Sequence, residues 1–239
     1  MGTRTVRLDS RLSLVFDLYD ECNLAADIGT DHARLPAALI QRGRCQHMIL
    51  TDISPDALNN ARSEIIRCGL SERCELRNGD GLSPLKKSEK CRMISITGMG
   101  GRTIRDILLS GQDKLNRASL ILSAHTDWHL IRRAVHDIGY FLDREEPCFD
   151  AGRYYLVIRA RPGIEDLTDQ EVRMGKPLFR SSSPVLIPFL LRRKEILSVQ
   201  LSGLFSAVQP DDAAISLLQS DICFLDRMID RLRSKEDFE

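Results

Sequence analysis

Leu24-Ala25-Ala26-Asp27-Ile28-Gly29-Thr30-Asp31-His32 decides how the rest of this chain is read. An apolar run closes on an acid, a glycine turns the chain, and the amphipathic stretch Ala33–Arg42 follows. The pattern is a buried strand entering a helix through a tight turn. In doubly wound α/β folds, nucleotide-like ligands sit at the carboxyl end of the first strand, beside such a turn. The dinucleotide fingerprint G-x-G-x-x-G is incomplete, because Asp31 stands where the second glycine belongs. A pyrophosphate would be repelled there and a cation attracted, which argues against NAD or FAD. Taken alone, the same residues also fit a plain turn with Asp31 capping the helix.

Outward from this stretch, short apolar runs alternate with helix-length amphipathic ones. The runs predict strands at Leu24–Ile28, His47–Thr51, Cys74–Arg77, Met93–Thr97, Leu120–Ala124, Tyr140–Glu146 and Tyr154–Ala160. Helices are expected at Ala33–Arg42, Asp56–Cys68, Gly101–Ser110 and Asp127–Asp137. This alternation predicts an α/β fold: a doubly wound, Rossmann-like sheet of seven strands covered on both faces. The last two strands leave room only for a short turn containing Pro147 and Gly152, so the sheet should end with an antiparallel strand. Pro162-Gly163 then breaks the pattern, suggesting a first domain at 1–163 and a second at 164–239. In the second, the apolar faces Leu186 to Phe205 and Leu217 to Leu232 have helical spacing. The break Val208-Gln209-Pro210 separates them, with Asp211 or Asp212 as N-cap. They predict a coiled-coil-like helical hairpin.

Composition narrows the function. Among 239 residues 43% are hydrophobic and 28% charged, which suits a globular chain and excludes a disordered one. Lys+Arg and Asp+Glu both number 34, so binding to nucleic acid by bulk positive charge is excluded and any phosphate must meet a local patch. The seven cysteines are odd in number and none forms C-x-x-C. With no apolar leader, they read as reduced thiols in a cytoplasmic protein. The longest apolar run, at 184–191, falls far short of the ~20 residues that span a bilayer, so no membrane partner is expected.

Two further strand ends carry acids. Thr51-Asp52-Ile53 closes the second strand, about 25 residues after Asp27, where a carboxylate holds the vicinal hydroxyls of a ribose. Ser54 and Pro55 then cap and start a helix. The third strand leads into Asn78-Gly79-Asp80-Gly81, where the glycines admit a ligand close to the backbone and Asp80 can accept from an exocyclic amine. Each motif alone has a bland reading as a capped helix or an Asx turn. Three at the ends of successive strands make a strong signal.

This arrangement resembles the class I S-adenosylmethionine-dependent methyltransferases, and Asp52-Ile53-Ser54-Pro55-Asp56-Ala57-Leu58 looks like their ribose-binding motif. Asp27 to Pro36 and Thr97-Gly98-Met99-Gly100-Gly101 resemble the bacterial tRNA (adenine-22) N1-methyltransferase family, as do Leu8-Asp9-Ser10-Arg11-Leu12 and the helical hairpin. That family often carries Gln-Pro-Asn after the fifth strand; Leu122-Ser123-Ala124-His125 stands here instead. The resemblance implies S-adenosylmethionine as cofactor, held by Asp27, Gly29, Asp31, His32, Asp52, Ile53, Asp80, Gly81 and Gly98. It implies tRNA as partner, with Arg7, Arg11, Met99 and His125 on the substrate side. No catalytic side chain is assigned, because adenine N1 has a free lone pair and needs no strong base. Two other readings stay open: a small-molecule methyltransferase of the same fold, and a non-catalytic cofactor-binding subunit whose hairpin docks a protein partner or a second copy.

Arginines that could meet RNA phosphates fall at Arg4/Arg7/Arg11, Arg102/Arg105, Arg132/Arg133 and Arg192/Arg193/Lys194. Arg227 and Arg231 alternate with Asp226 and Asp230, which fits a solvated helix face better. His125 and His129 would lie one turn apart on a helix, but no third ligand faces the same way, so no metal is expected. Trp128 and Phe149 are candidates for stacking on a base, though single aromatics usually pack.

Overall fold

The computed structural model describes residues 5–206, 209 and 211–236. In chain order the strands are β1 Cys22–Ile28, β2 Cys45–Asp52, β3 Cys74–Asn78, β4 Met93–Met99, β5 Ser119–Ala124, β6 Tyr140–Asp150 and β7 Arg153–Pro162. The helices are α1 Ser10–Asp17, α2 Arg34–Gln41, α3 Pro55–Arg67, α4 Gly101–Ser110, α5 Trp128–Asp137, α6 Asp169–Met174, α7 Leu186–Phe205 and α8 Asp212–Glu236. One sheet of seven strands runs in the order β3-β2-β1-β4-β5-β7-β6. β1 to β5 pair in parallel, and β7 is antiparallel to both β5 and β6.

Strand alternation sends side chains to two cores. Ile28, Ile94, Ile96, Leu120 and Leu122 face α4 and α5, while Ala25, Met48, Leu50, Met93 and Ile121 face α1, α2 and α3. Both faces are covered, as the apolar runs predicted. Leu186, Phe189 and Leu190 of α7 and Leu225 and Ile229 of α8 join the first of these cores. The base of the hairpin is therefore packed on the sheet's own hydrophobic cluster. Among the described residues no helix is long and apolar enough to cross a membrane.

Two details differ from expectation. Pro147 is not in the turn: it lies within β6, opposite Leu156, and the turn is Ala151-Gly152. β6 is the edge strand, where a residue without an N–H costs no ladder bond. The second difference is that α1 and α6 are helices where none was expected. Asp9 caps α1, its carboxylate accepting from Leu12 N at 2.7 Å. Thr168 and Glu171 form a capping box on α6. Asp211, as expected, caps α8, accepting from Ala214 N at 2.9 Å; Val208 and Pro210 of the break lie outside the described residues.

A buried ion pair ties the second part of the chain to the sheet. Arg132 of α5 and Glu145 of β6 are both fully enclosed, with Nε donating to Oε1 at 2.5 Å. Arg132 Nη1 also donates to the carbonyls of Val172 and Arg173 at 3.2 and 2.9 Å, fixing the end of α6. Arg132 is therefore a structural residue and not a phosphate contact. Removing one charge strands the other in the core, a loss of about 3–5 kcal/mol. Glu145→Leu should lose that much in urea unfolding, and Arg132→Met/Glu145→Leu together should recover most of it.

Candidate cofactor crevice

The carboxyl ends of β1, β2, β3 and β4 lie side by side, with Asp52 opposite Asn78 in register and Ile28 between Thr51 and Ile96. The loops leaving them are laced to one another. Gly29 N and Thr30 N both donate to Thr51 O, at 2.8 and 3.0 Å. Gly79 N and Asn78 Nδ2 both donate to Asp52 O at 3.1 Å. Gly29 turns at φ +76°, and a Cβ there would also strike the Met99 methyl. Asp31 and Ala33 follow at φ +31° and +49°, and no side chain caps α2. Asp31 is thus left with its carboxylate exposed, 3.4 Å from His32 Nε2.

Asp27 is the buried member, 5% exposed. Ser95 Oγ donates to its Oδ1 at 2.5 Å, and Tyr19 Oη donates to Ser95 Oγ at 2.9 Å. Burial pushes the Asp27 carboxyl up to about 6, against the pull of the Ser95 and Thr30 hydroxyls and the Arg11 cation; Asp52 adds repulsion. Asp52 is half-buried. Its Oδ1 accepts from Ser54 N at 2.8 Å and its Oδ2 from Asp31 N at 3.5 Å. Ile53 beside it is 67% exposed, an apolar surface at the crevice edge. Asp80 is exposed on the β3 loop, and Gly81 packs against Ile107 of α4. Gly98 sits at a register shift in β4 with φ +80°, exposed.

On the far side of β4 the substrate-side residues spread out. Met99 is half-buried, its methyl over Gly29. His125 is exposed just beyond β5 and meets the Tyr155 ring edge-on at 5.7 Å. Arg11 is half-buried, its guanidinium 5.6 Å from the Tyr155 centroid and its Nη1 enclosed. Arg7 is exposed, and Arg4 lies outside the described residues. Among the other arginines, Arg105, Arg133 and Arg192 are paired with Asp106, Asp169 and Glu195, and Lys194 with Asp226. His125 precedes α5 and His129 lies within it, so they do not share one helix face. Among the described residues no three His, Cys, Asp or Glu side chains stand together to hold a metal. Phe149 packs on Tyr154 at 4.8 Å.

Sequence reasoning missed the support beneath Asp27. Ser95 is in register with Asp27 on the neighbouring strand, and it is the one polar residue in Met93-Ile94-Ser95-Ile96. That interruption of an apolar strand is the signal that was available.

The sheet is doubly wound with acids at three adjacent strand ends, and residues 8–158 match the family model described as a methyltransferase domain, which makes this chain a methyltransferase by class. Within that class the chain belongs to the tRNA (adenine(22)-N(1))-methyltransferase family: it is 30% identical to the Bacillus subtilis enzyme of that name over 190 residues, 79% of this chain and 77% of that one. A Streptococcus pneumoniae protein solved in complex with S-adenosyl-L-methionine is 26% identical, with a TM-score of 0.82 over 93% of this chain and 100% of that one. The TrmK of M. capricolum, solved in complex with S-adenosyl-homocysteine, is 25% identical, with a TM-score of 0.79 over 93% of this chain and 98% of that one.

The titration of Asp27 bears on stability. A carboxyl whose pKa rises from 3.8 to about 6 on folding stabilises the fold fully below pH 3.8, and that contribution is lost as pH climbs through 6. The shift corresponds to roughly 3 kcal/mol. Urea unfolding of Asp27→Asn should show a flatter dependence between pH 4 and 6.5 than wild type; parallel curves would mean that Asp27 titrates normally.

Proposed function

We propose that this chain transfers a methyl group from S-adenosylmethionine to N1 of adenine 22 in tRNA, and that the crevice at the ends of β1 to β4 holds the cofactor. The observation that carries this reading is that Asp27 and Asp52 lie close enough to repel one another at adjacent strand ends, with Asp31 N of the Gly29 loop donating to Asp52 Oδ2 at 3.5 Å. The donor set fits a sulfonium nucleoside: carboxylates for a cation and a carboxylate for ribose hydroxyls. When bound, S-adenosylmethionine supplies an electrophilic methyl on a positively charged sulfur.

The chain's own residues divide the work. Asp52 accepts from the ribose hydroxyls, held in place by Ser54 N. Ile53 offers the adenine ring an apolar face, and Asp80 accepts from its amine. Asp27, ionised above about pH 6, and Asp31 favour the cationic end. Gly29, His32, Gly81 and Gly98 line the cradle. On the other side, Met99 and His125 border the target base, Arg11 is fixed beside them on Tyr155, and Arg7 faces outward toward phosphate.

Methylation at N1 needs alignment and exclusion of water more than a base. The product adenine is cationic, and in this reading the Asp31 carboxylate and the carbonyls of Gly98 to Gly100 are the candidates to offset that charge. N1 lies on the pairing edge, so the target base must leave its helix to reach the crevice.

Two measurements test this. Purified protein with labelled S-adenosylmethionine should methylate an unmodified tRNA transcript to 1-methyladenosine, and a transcript with A22 replaced by G should accept no label; equal labelling of both would reject the assignment. In calorimetry, Asp52→Ala should weaken S-adenosylmethionine binding by about 10–100-fold, the cost of a charge-assisted pair of hydrogen bonds. Unchanged affinity would remove Asp52 from the site.

A further inference from the structure

Tyr19 carries a buried hydroxyl that the proposed chemistry leaves without a task. It lies in the segment after α1 and is 1% exposed. Its surroundings are apolar, with Val15, Ala25, Met93, Ile121 and Val157 in the same core. A phenol buried among such groups needs a partner for its O–H. The partner is Ser95: Tyr19 Oη donates to Ser95 Oγ at 2.9 Å, and Ser95 Oγ donates to Asp27 Oδ1 at 2.5 Å. All three side chains are buried. They form one chain of hydrogen bonds from the segment after α1, through β4, to the end of β1.

The geometry at Ser95 gives this chain a direction. Ser95 Oγ has one proton and two acceptors within reach, Asp27 Oδ1 at 2.5 Å and the Ala26 carbonyl at 3.4 Å. Tyr19 takes up the acceptor side of Ser95, which leaves the Ser95 proton for Asp27. Each donor in such a series polarises the next, and the gain is greatest when the last acceptor is charged. A protonated Asp27 would have to donate instead, and Ser95 could then give its proton only to the more distant Ala26 carbonyl. The chain therefore favours the carboxylate over the acid.

The other groups that face these side chains do not replace it. Arg11 of α1 favours the charge on Asp27, Asp52 of β2 opposes it, and the Thr30 hydroxyl adds a donor. Cys22 and Cys45, at the starts of β1 and β2, face the Tyr19 phenol. Burial pushes that phenol well above its ordinary range, and the Asp27 charge adds to the effect. Tyr19 thus keeps its proton and remains a donor across neutral pH.

We propose that Tyr19 is a positioning residue for cofactor binding: acting through Ser95, it orients the Asp27 carboxylate beneath the crevice and holds it in the charged form that suits a cationic ligand. This rests on the proposed S-adenosylmethionine site and adds to it a residue that does not touch the ligand. The segment after α1 thereby sets the acid limit of cofactor binding.

Calorimetry with S-adenosylmethionine from about pH 5 to pH 8 tests this. Wild-type affinity should rise through about pH 6, as Asp27 ionises, and then level off. Tyr19→Phe fills the same apolar space and lacks the donor. Its rise should come about one pH unit later, the size of a single hydrogen bond. It should bind about fivefold more weakly than wild type at pH 6 and within about twofold at pH 8. Titration of the cofactor's own amino group is common to both proteins and cancels in the ratio. Ser95→Ala probes the same path from its middle: it should move the rise at least as far, and adding Tyr19→Phe to it should move the rise no further. Ser95→Thr keeps the hydroxyl and should restore the wild-type profile. Superimposed profiles for wild type and either Tyr19→Phe or Ser95→Ala, additive shifts in the double variant, or a Tyr19→Phe loss equal at every pH would overturn the inference and leave the cofactor site standing. A wild-type profile flat through pH 6 would overturn it too, because Asp27 would then carry no part of the binding. If wild type binds no S-adenosylmethionine at any pH, the proposed site itself fails and the role of Tyr19 falls with it.

Discussion

Burial of the Asp27 carboxylate is the constraint around which the site is organised. An acid 5% exposed at the end of a central strand opposes ionisation, and only local donors make the charge tolerable. Ser95, braced by Tyr19, and the nearby Arg11 supply that compensation. Each comes from a different element: β4, the segment after α1, and α1 itself. The opening helix is thereby tied to the strand ends, and the Gly29 turn is held over β2 by its two bonds to Thr51 O. A carboxylate kept costly to ionise inside the protein is well matched to a cationic ligand, because the ligand's charge completes the compensation.

The second half of the chain obeys a similar logic on a larger scale. Arg132 and Glu145 form a buried pair that also fastens the carbonyls at the end of α6, and Arg173 at that point grips Asp221 of α8. The hairpin is thus positioned by charge pairs at its base and by Phe189, Leu190, Leu225 and Ile229 in the shared core. Its position leaves a cleft opening next to the end of β5.

The centre of the sheet is legible in the sequence because β1, β2 and β4 are apolar runs closed by an acid or a glycine. Asp27, Asp52 and Asp80 fall at successive strand ends for the same reason, and their neighbourhood follows from parallel pairing alone. Pro147 misleads because an edge strand accepts a residue that a central strand would reject. α6 is too short for periodicity, although Thr168 and Glu171 carry its cap. The Ser95–Tyr19 support and the stacking of Arg193 on Trp128 join residues 76 and 65 positions apart, and no local pattern encodes such pairings. Arg132 reads as a surface basic residue until its partner Glu145 is seen beside it.

The most direct measurement of the central claim is a crystal structure of this chain with S-adenosylhomocysteine, the neutral product of methyl transfer. The account predicts ribose hydroxyls within hydrogen-bond distance of the Asp52 carboxylate, the adenine between Ile53 and the Asp80 loop, and the sulfur facing the Gly98–Met99 bend. A nucleoside bound elsewhere, with the space around the Gly29 turn filled by protein side chains, would contradict it.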